Sequence, residues 1–220
     1  MNWAQVGFEV FGTKVLWTDL IGNVAALATV LLAIRKSVWT WPVQLTGSVL
    51  LFVASIGAHI TGNALKQVMF AGLAVYGWWK WSRGTQNGQE LAVRPATSRE
   101  RLTLVGVMVV GTIAVGVLFF VTKLSWGALV PPPKGYLLVA ADAYIFVGSA
   151  VATWAQGRAL VDFWLIWVAV DLVGVPLAFS SGLVVSGAVY GVFFLLVLVG
   201  FFNWLREYRS RAVLVPKEAV

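Results

Sequence analysis

The chain has 220 residues, 60% apolar and 11% charged, with a net charge of +7, one histidine and no cysteine. A soluble domain of this size cannot bury so large an apolar share, whereas a bilayer is itself the apolar solvent. Disulfide and thiol chemistry are excluded, and no metal site or other cofactor is expected.

The first residues, MNWAQVGFEV, lack a basic stretch followed by an apolar run, so no cleavable signal is expected. A spanning helix takes about 20 largely apolar residues. Such runs fall near 16–34, 39–60, 64–82, 101–123, 136–157, 163–180 and 183–205. They predict an all-α integral membrane protein with seven transmembrane helices. The expected divisions are an N-terminal segment 1–15, a triple-helix bundle 16–83, and a loop plus linker helix 84–135. A second bundle 136–206 and a tail 207–220 follow.

Seven spans put the termini on opposite faces. One face then receives 12 basic residues, among them Arg35, Lys36, Lys80, Arg83, Arg158 and Arg206, and the other only Lys14, Lys66, Lys123 and Lys134. Basic loops stay cytoplasmic, which places the N-terminus outside and the C-terminus inside a cytoplasmic (inner) membrane. A nucleic-acid surface would need these charges on one soluble face. They flank apolar runs instead, so no nucleic-acid partner is expected. Trp78, Trp79, Trp81 and Trp204 stand beside Lys80, Arg83 and Arg206, as headgroup anchors do.

The first three spans resemble the last three. Asp19 to Arg35 matches Asp142 to Arg158, and Trp81 matches Trp204, at an offset of 123. Trp39, Pro42 and Thr46 match Trp164, Trp167 and Asp171 at an offset of 125. Three helices turn the chain over and the fourth turns it back. The expected plan is therefore 3+1+3, two parallel triplets about a pseudo-twofold axis along the membrane normal. Transporters built on parallel repeats hold their cargo between the halves near the midplane.

Ionisable groups at the bilayer centre cost about 2.5–3.5 kcal/mol or more, so they face a cavity or a partner. Trp164, Trp167 and Asp171 follow an i, i+3, i+7 spacing and share one helix face. Two flat rings and a carboxylate suit a heteroaromatic cargo with hydroxyl or amide groups. Gln44, Thr46, Asn63 and Gln67 need hydrogen-bond partners in lipid, from protein or ligand. Tyr190 is the counterpart of Gln67. Asp19 and Asp142 stand towards the outer ends of their spans, as a gate or as interfacial groups. His59 falls near an outer loop, and Pro42 and Pro176 can bend their helices.

VWTWP at 38–42, GNALKQV at 62–68, YGWWKW at 76–81 and DAY…ATWAQGR…DFWLIWVAVD at 142–171 resemble signature segments of PnuC-type vitamin transporters. The resemblance runs from about 16 to 209 and includes a W-x-x-W-x-x-x-D/N pattern at Trp164, Trp167 and Asp171. It implies a doubled relative of the half-sized sugar transporters (SWEET-like) that takes up nicotinamide riboside by facilitated diffusion. A cytoplasmic kinase would then trap the cargo by phosphorylation. It also implies ring stacking by Trp164 and Trp167, polar contacts from Asp171 and Gln67, and a homo-oligomer, with a trimer as the form expected. Trp39, Thr153 and Tyr190 complete the expected site. Two departures stand out: Thr153 replaces a glutamine of the family's fifth helix, and Gln44 follows the W-P pair where a glycine is usual.

Thiamine and riboflavin, carried by related branches, are also flat heteroaromatics, and ring stacking alone does not separate them from nicotinamide riboside. An ion-coupled variant would need a titrating group, for which Asp171 or Asp142 could serve. A sensor or structural subunit is the alternative of another class. A membrane enzyme would need a nucleophile, base or metal constellation, and nine scattered acids with one histidine supply none. No G-x-x-x-x-G-K-S/T segment is present for ATP.

Overall fold

The computed structural model describes residues 6–10, 13–57, 61–85, 92–125, 129, 131–180 and 184–214. His59 and the side chains of Asp19 and Asn63 lie outside the described residues. A short antiparallel hairpin, β1 (Gly7–Val10) and β2 (Thr13–Leu16), pairs Gly7 with Leu16 and Val10 with Thr13. It occupies what the sequence left as a plain N-terminal segment. The seven helices that follow are α1 (Trp17–Ile34), α2 (Thr40–Gly57), α3 (Thr61–Thr85), α4 (Ser98–Thr122), α5 (Lys134–Gly157), α6 (Asp162–Ser180) and α7 (Val184–Leu214). Each coincides with an expected run, although α7 continues through Leu214, past the boundary expected at 206. By length and composition, α4, α5 and the Tyr190–Arg211 part of α7 can cross a membrane; Leu20–Ile34 and Thr40–Ile56 are shorter apolar stretches.

The helix ends follow from local chemistry. At α4, the Thr97 hydroxyl accepts from the Glu100 N–H at 3.3 Å, while Glu100 accepts from the Thr97 N–H at 2.9 Å. This capping box satisfies two of the orphan donors at the helix start. Helices α1 and α5 end alike. Lys36 and Ala159 stand in the left-handed region at φ 55° and 54°. Ser37 N–H donates to Leu32 C=O and Lys36 N–H to Ala33 C=O; Leu160 to Ala155 and Ala159 to Gln156 repeat the pattern. Both are Schellman caps without the usual glycine, 123 positions apart.

Helices α1–α3 pack into one triplet and α5–α7 into another; α3 crosses onto α5, α7 onto α1, and α4 lies along α5. The centre is aromatic. Trp41, Trp81 and Trp204 are 0% exposed and Trp164 is 1% exposed. Trp41 meets Trp81 edge-on at 5.1 Å, and Trp164 meets Trp204 edge-on at 5.8 Å. The benzo edge of Trp41 sits over Gly77 and that of Trp164 over Gly200, where an added Cβ would overlap the ring.

Two sequence expectations are corrected here. Trp81 and Trp204 are not headgroup anchors: the Trp81 indole N–H donates to Gln156 C=O at 3.1 Å, and that of Trp204 to Ala33 C=O at 3.2 Å. A buried indole needs such an acceptor, and each finds it on the other triplet. Trp78 and Trp79 are exposed as expected, with the Arg83 guanidinium 4.5 Å above Trp79. The second correction concerns register. The structural counterpart of Trp164 is Trp41, not Trp39, so the Trp pair, its glycine seats, the caps and the cross-triplet bonds all share the single separation of 123.

The end of the bundle bearing the basic residues is tied by ion pairs. Arg101 and Asp162 meet at 2.7 Å, Lys36 and Glu207 at 2.6 Å, and Glu100 receives both Arg94 (2.8 Å) and Arg158 (3.0 Å). Asp162 also accepts from the Ala96 N–H at 2.6 Å. Arg94 pairs its backbone with Ala159 and Val161. The segment before α4 is thereby fastened to the α5–α6 turn, so α4 belongs mechanically with the second triplet.

Candidate functional site

Small residues let the helices approach and leave space between the triplets. An added Cβ at Gly47 on α2 would lie 3.1 Å from Ala25 Cβ on α1. In the second triplet the glycine is on the other partner: a Cβ at Gly148 on α5 would lie 2.5 Å from Val170 on α6. Each crossing needs one small residue, and either helix can supply it.

Between the triplets lies a cavity of about 640 Å³, a size suited to a drug-sized ligand. Of the residues expected from sequence, Trp164, Trp167, Asp171, Gln67, Gln44, Thr153, Tyr190 and Asp142 line it. Trp39 and Thr46 do not. Trp39 is 68% exposed on the turn before α2, and the Thr46 hydroxyl donates to its own helix at Pro42 C=O, 2.9 Å away. Asp142 accepts a hydrogen bond from Ser125, a residue between α4 and α5.

The two halves give the wall a repeated shape but different chemistry. At the common separation of 123, Gln44 answers Trp167, Ser48 answers Asp171, Gln67 answers Tyr190 and Ala33 answers Gln156, and all eight line the cavity. The first triplet thus offers mainly amides and a hydroxyl. The second offers aromatic rings, two carboxylates (Asp142 and Asp171) and one amide, while Lys66 adds a cation from the first. Such a wall is chemically asymmetric, with most of its rings on one side and most of its amides on the other.

Half of the buried side-chain atoms that lack a partner among the described residues belong to the cavity wall. Gln44 Oε1, Gln156 Nε2, Trp164 Nε1 and Asp171 Oδ2 are buried with no hydrogen-bond partner among the described residues, and all four residues line the cavity. Each unsatisfied buried group costs about 1–3 kcal/mol. Two donors and two acceptors therefore stand unpaired in residues of the cavity wall. Thr153 donates its proton to Ser149 C=O at 2.8 Å and offers only lone pairs. The half-buried Trp167 ring lies 6.5 Å from Phe70 at 27°, which leaves it the flatter platform. Trp164 is wedged between Phe163, 4.2 Å away, and Trp204.

Sequence reasoning missed Gln156, Ser48 and Lys66. Gln156 stands two residues before Arg158, at the end of the expected span 136–157. Its backbone carbonyl accepts from Trp81, and the residue forms part of the cavity wall. The signal available was the separation of 123 itself, which pairs Ser48 with Asp171. Lys66 was counted with the outer loops; it lines the cavity in the first turns of α3.

Comparison with known proteins follows the same outline. The profile of a family described as nicotinamide mononucleotide transporter matches residues 16–206. The riboflavin/roseoflavin transporter RibM of Streptomyces davaonensis is 44% identical over 97% of this chain and 98% of its own. The nicotinamide riboside transporter PnuC of Escherichia coli is 25% identical over 91% of this chain and 90% of its own. Among solved structures, the crystal structure of the vitamin B3 transporter PnuC superposes with a TM-score of 0.65 at 18% identity, covering 88% of this chain and 83% of that one.

Proposed function

The chain belongs to the nicotinamide mononucleotide transporter family, the PnuC-type family that its motifs resemble, and from that premise we propose that this membrane transporter of vitamin-like cargo carries a riboflavin-class flavin. The observation that carries the proposal is the cavity wall. It joins a flat aromatic platform at Trp167 to unpartnered donors and acceptors from Gln44, Gln156, Trp164 and Asp171. A flavin has a neutral three-ring system edged by carbonyl acceptors and one N–H donor, and its hydroxylated chain needs further polar partners. A space of about 640 Å³ accommodates both parts. The 44% identity to a riboflavin/roseoflavin transporter, against 25% to a nicotinamide riboside transporter, supports the same choice.

In this reading all seven helices span the inner membrane in the 3+1+3 plan, with the basic end cytoplasmic. The two triplets rock about the cavity, and entry is downhill. Phosphorylation of the cargo by a cytoplasmic kinase makes entry one-way, and the chain works as a homo-oligomer. The reciprocal Trp81 and Trp204 bonds and the common separation of 123 support the pseudo-twofold relation.

Nicotinamide riboside is the second reading, and Asp171 favours it. A carboxylate on the helix face of Trp167 attracts a cationic pyridinium. Binding of riboflavin, nicotinamide riboside and thiamine to the purified chain separates the two. The proposal expects riboflavin to stabilise most and Asp171→Asn to keep that binding within about tenfold, a loss of about 1.4 kcal/mol or less. Strong binding of nicotinamide riboside alone, abolished by Asp171→Asn, would overturn it.

A further inference from the structure

Between the cavity wall and the basic end of the bundle stand buried tryptophans. Trp164 forms part of the cavity wall, and behind it Trp204 and Trp81 lie 6.3 Å apart, both fully buried. These two rings are held by bonds that run across the triplets in opposite directions. Trp81 of the first triplet donates to Gln156 of the second, and Trp204 of the second donates to Ala33 of the first. Both acceptors lie in the last turn of a helix, and each also accepts from its cap residue, Ala33 from Lys36 at 3.0 Å and Gln156 from Ala159 at 2.8 Å. Separating the triplets at this end requires breaking both bonds and moving both rings.

The two acceptors differ in one respect. Ala33 has no polar side chain, whereas Gln156 presents an amide whose Nε2 is buried and unpartnered at the cavity. One residue therefore touches the Trp81 ring through its backbone and carries an unpaired side-chain donor in the cavity wall. We propose that Trp81 and Trp204 form the gate at the basic end, and that Gln156 reports cargo occupancy to the Trp81 side of it. A cargo carbonyl or hydroxyl accepting from Gln156 fixes the last turn of α5, and with it the carbonyl that holds Trp81. The Trp204 side closes without sensing cargo. This inference rests on the reading that cargo binds in this cavity; the gate itself does not.

The gate is tested without any ligand. The chain has no cysteine, so Val30→Cys on the cavity wall gives a single thiol. In oriented proteoliposomes, an impermeant maleimide added at the basic end should label it slowly in the otherwise unaltered chain. Labelling should rise at least fivefold with either Trp81→Phe or Trp204→Phe. Replacing Trp81 by 3-benzothienylalanine keeps the ring shape and removes only the N–H, so it should have the same effect if the larger change impairs folding. Trp78→Phe should change nothing. Unchanged labelling in both gate variants overturns the gate.

The coupling is tested by riboflavin affinity in a double-mutant cycle. Gln156→Ala should weaken binding about tenfold when Trp81 is intact and less than twofold when position 81 lacks the N–H. Combined with Trp204→Phe it should keep its full tenfold effect. Equal losses in all backgrounds overturn the coupling and leave a simple contact. If riboflavin does not bind the unaltered chain, the cargo assignment has failed, and the same cycle is run with nicotinamide riboside.

Discussion

Gly77 and Gly200 provide matched perturbations, because each seats the benzo edge of a buried tryptophan. Replacing Gly200 by alanine puts a Cβ 2.7 Å from Trp164 Cζ3 and closer still to two other ring atoms. Carbon atoms rest at about 3.5–4.0 Å, so the ring must retreat by roughly 1 Å. Trp164 is 1% exposed and hemmed in by Phe163 and Trp204, so the space for retreat is the cavity. Overpacking of this kind costs about 1–3 kcal/mol. Alanine's better helix propensity returns about 0.5–1 kcal/mol. The expected net destabilisation is about 1–2 kcal/mol, or roughly 5- to 30-fold in the folding equilibrium. Gly77→Ala should cost as much through Trp41, which does not line the cavity, and so should spare cargo affinity. Gly200→Ala should lower both stability and affinity. Gly72 and Gly191, with nothing within 4 Å, are the controls. Reversible unfolding in mixed micelles reads stability, and ligand titration reads affinity. If Gly200→Ala lowers stability and leaves affinity unchanged, Trp164 does not shape the cargo site.

Other consequences are local. Ala159→Gly relieves a left-handed residue at φ 54° and should stabilise the chain by about 1 kcal/mol in the same unfolding assay. Lys36→Gly should gain less, because it also removes the Lys36–Glu207 ion pair. Asp162→Asn weakens bonds to Arg101 and the Ala96 N–H; with Arg101 more than half exposed, the loss should be about 1–2 kcal/mol. It should also raise proteolysis of the segment before α4, and intact protection would contradict its role as a fastening.

The helices were legible because each apolar run is long and bounded by polar or basic residues. The hairpin was not, since strands of four residues carry almost no periodic signal. The repeat was legible in order but misread by two residues at Trp39. Trp39 and Trp41 are the same residue type, and only packing separates 68% exposure from 0%. Trp81 and Trp204 were misread as anchors because cations stand beside them in sequence. Each is held by a carbonyl of the other triplet, and that contact is non-local. The aromatic and carboxylate side of the wall was readable as a helix face. Thr46 was lost because its hydroxyl bonds its own helix, and Gln156 was missed because its place depends on the crossing of α3 with α5.

Flux of riboflavin through the purified chain in proteoliposomes, with membrane potential and pH gradient collapsed, tests the central claim most directly. The account predicts protein-dependent entry of labelled riboflavin until the concentrations inside and outside are equal, with strong slowing by Trp167→Ala. It also predicts weaker competition from nicotinamide riboside than from unlabelled riboflavin. Protein-dependent flux of nicotinamide riboside with none of riboflavin would contradict it.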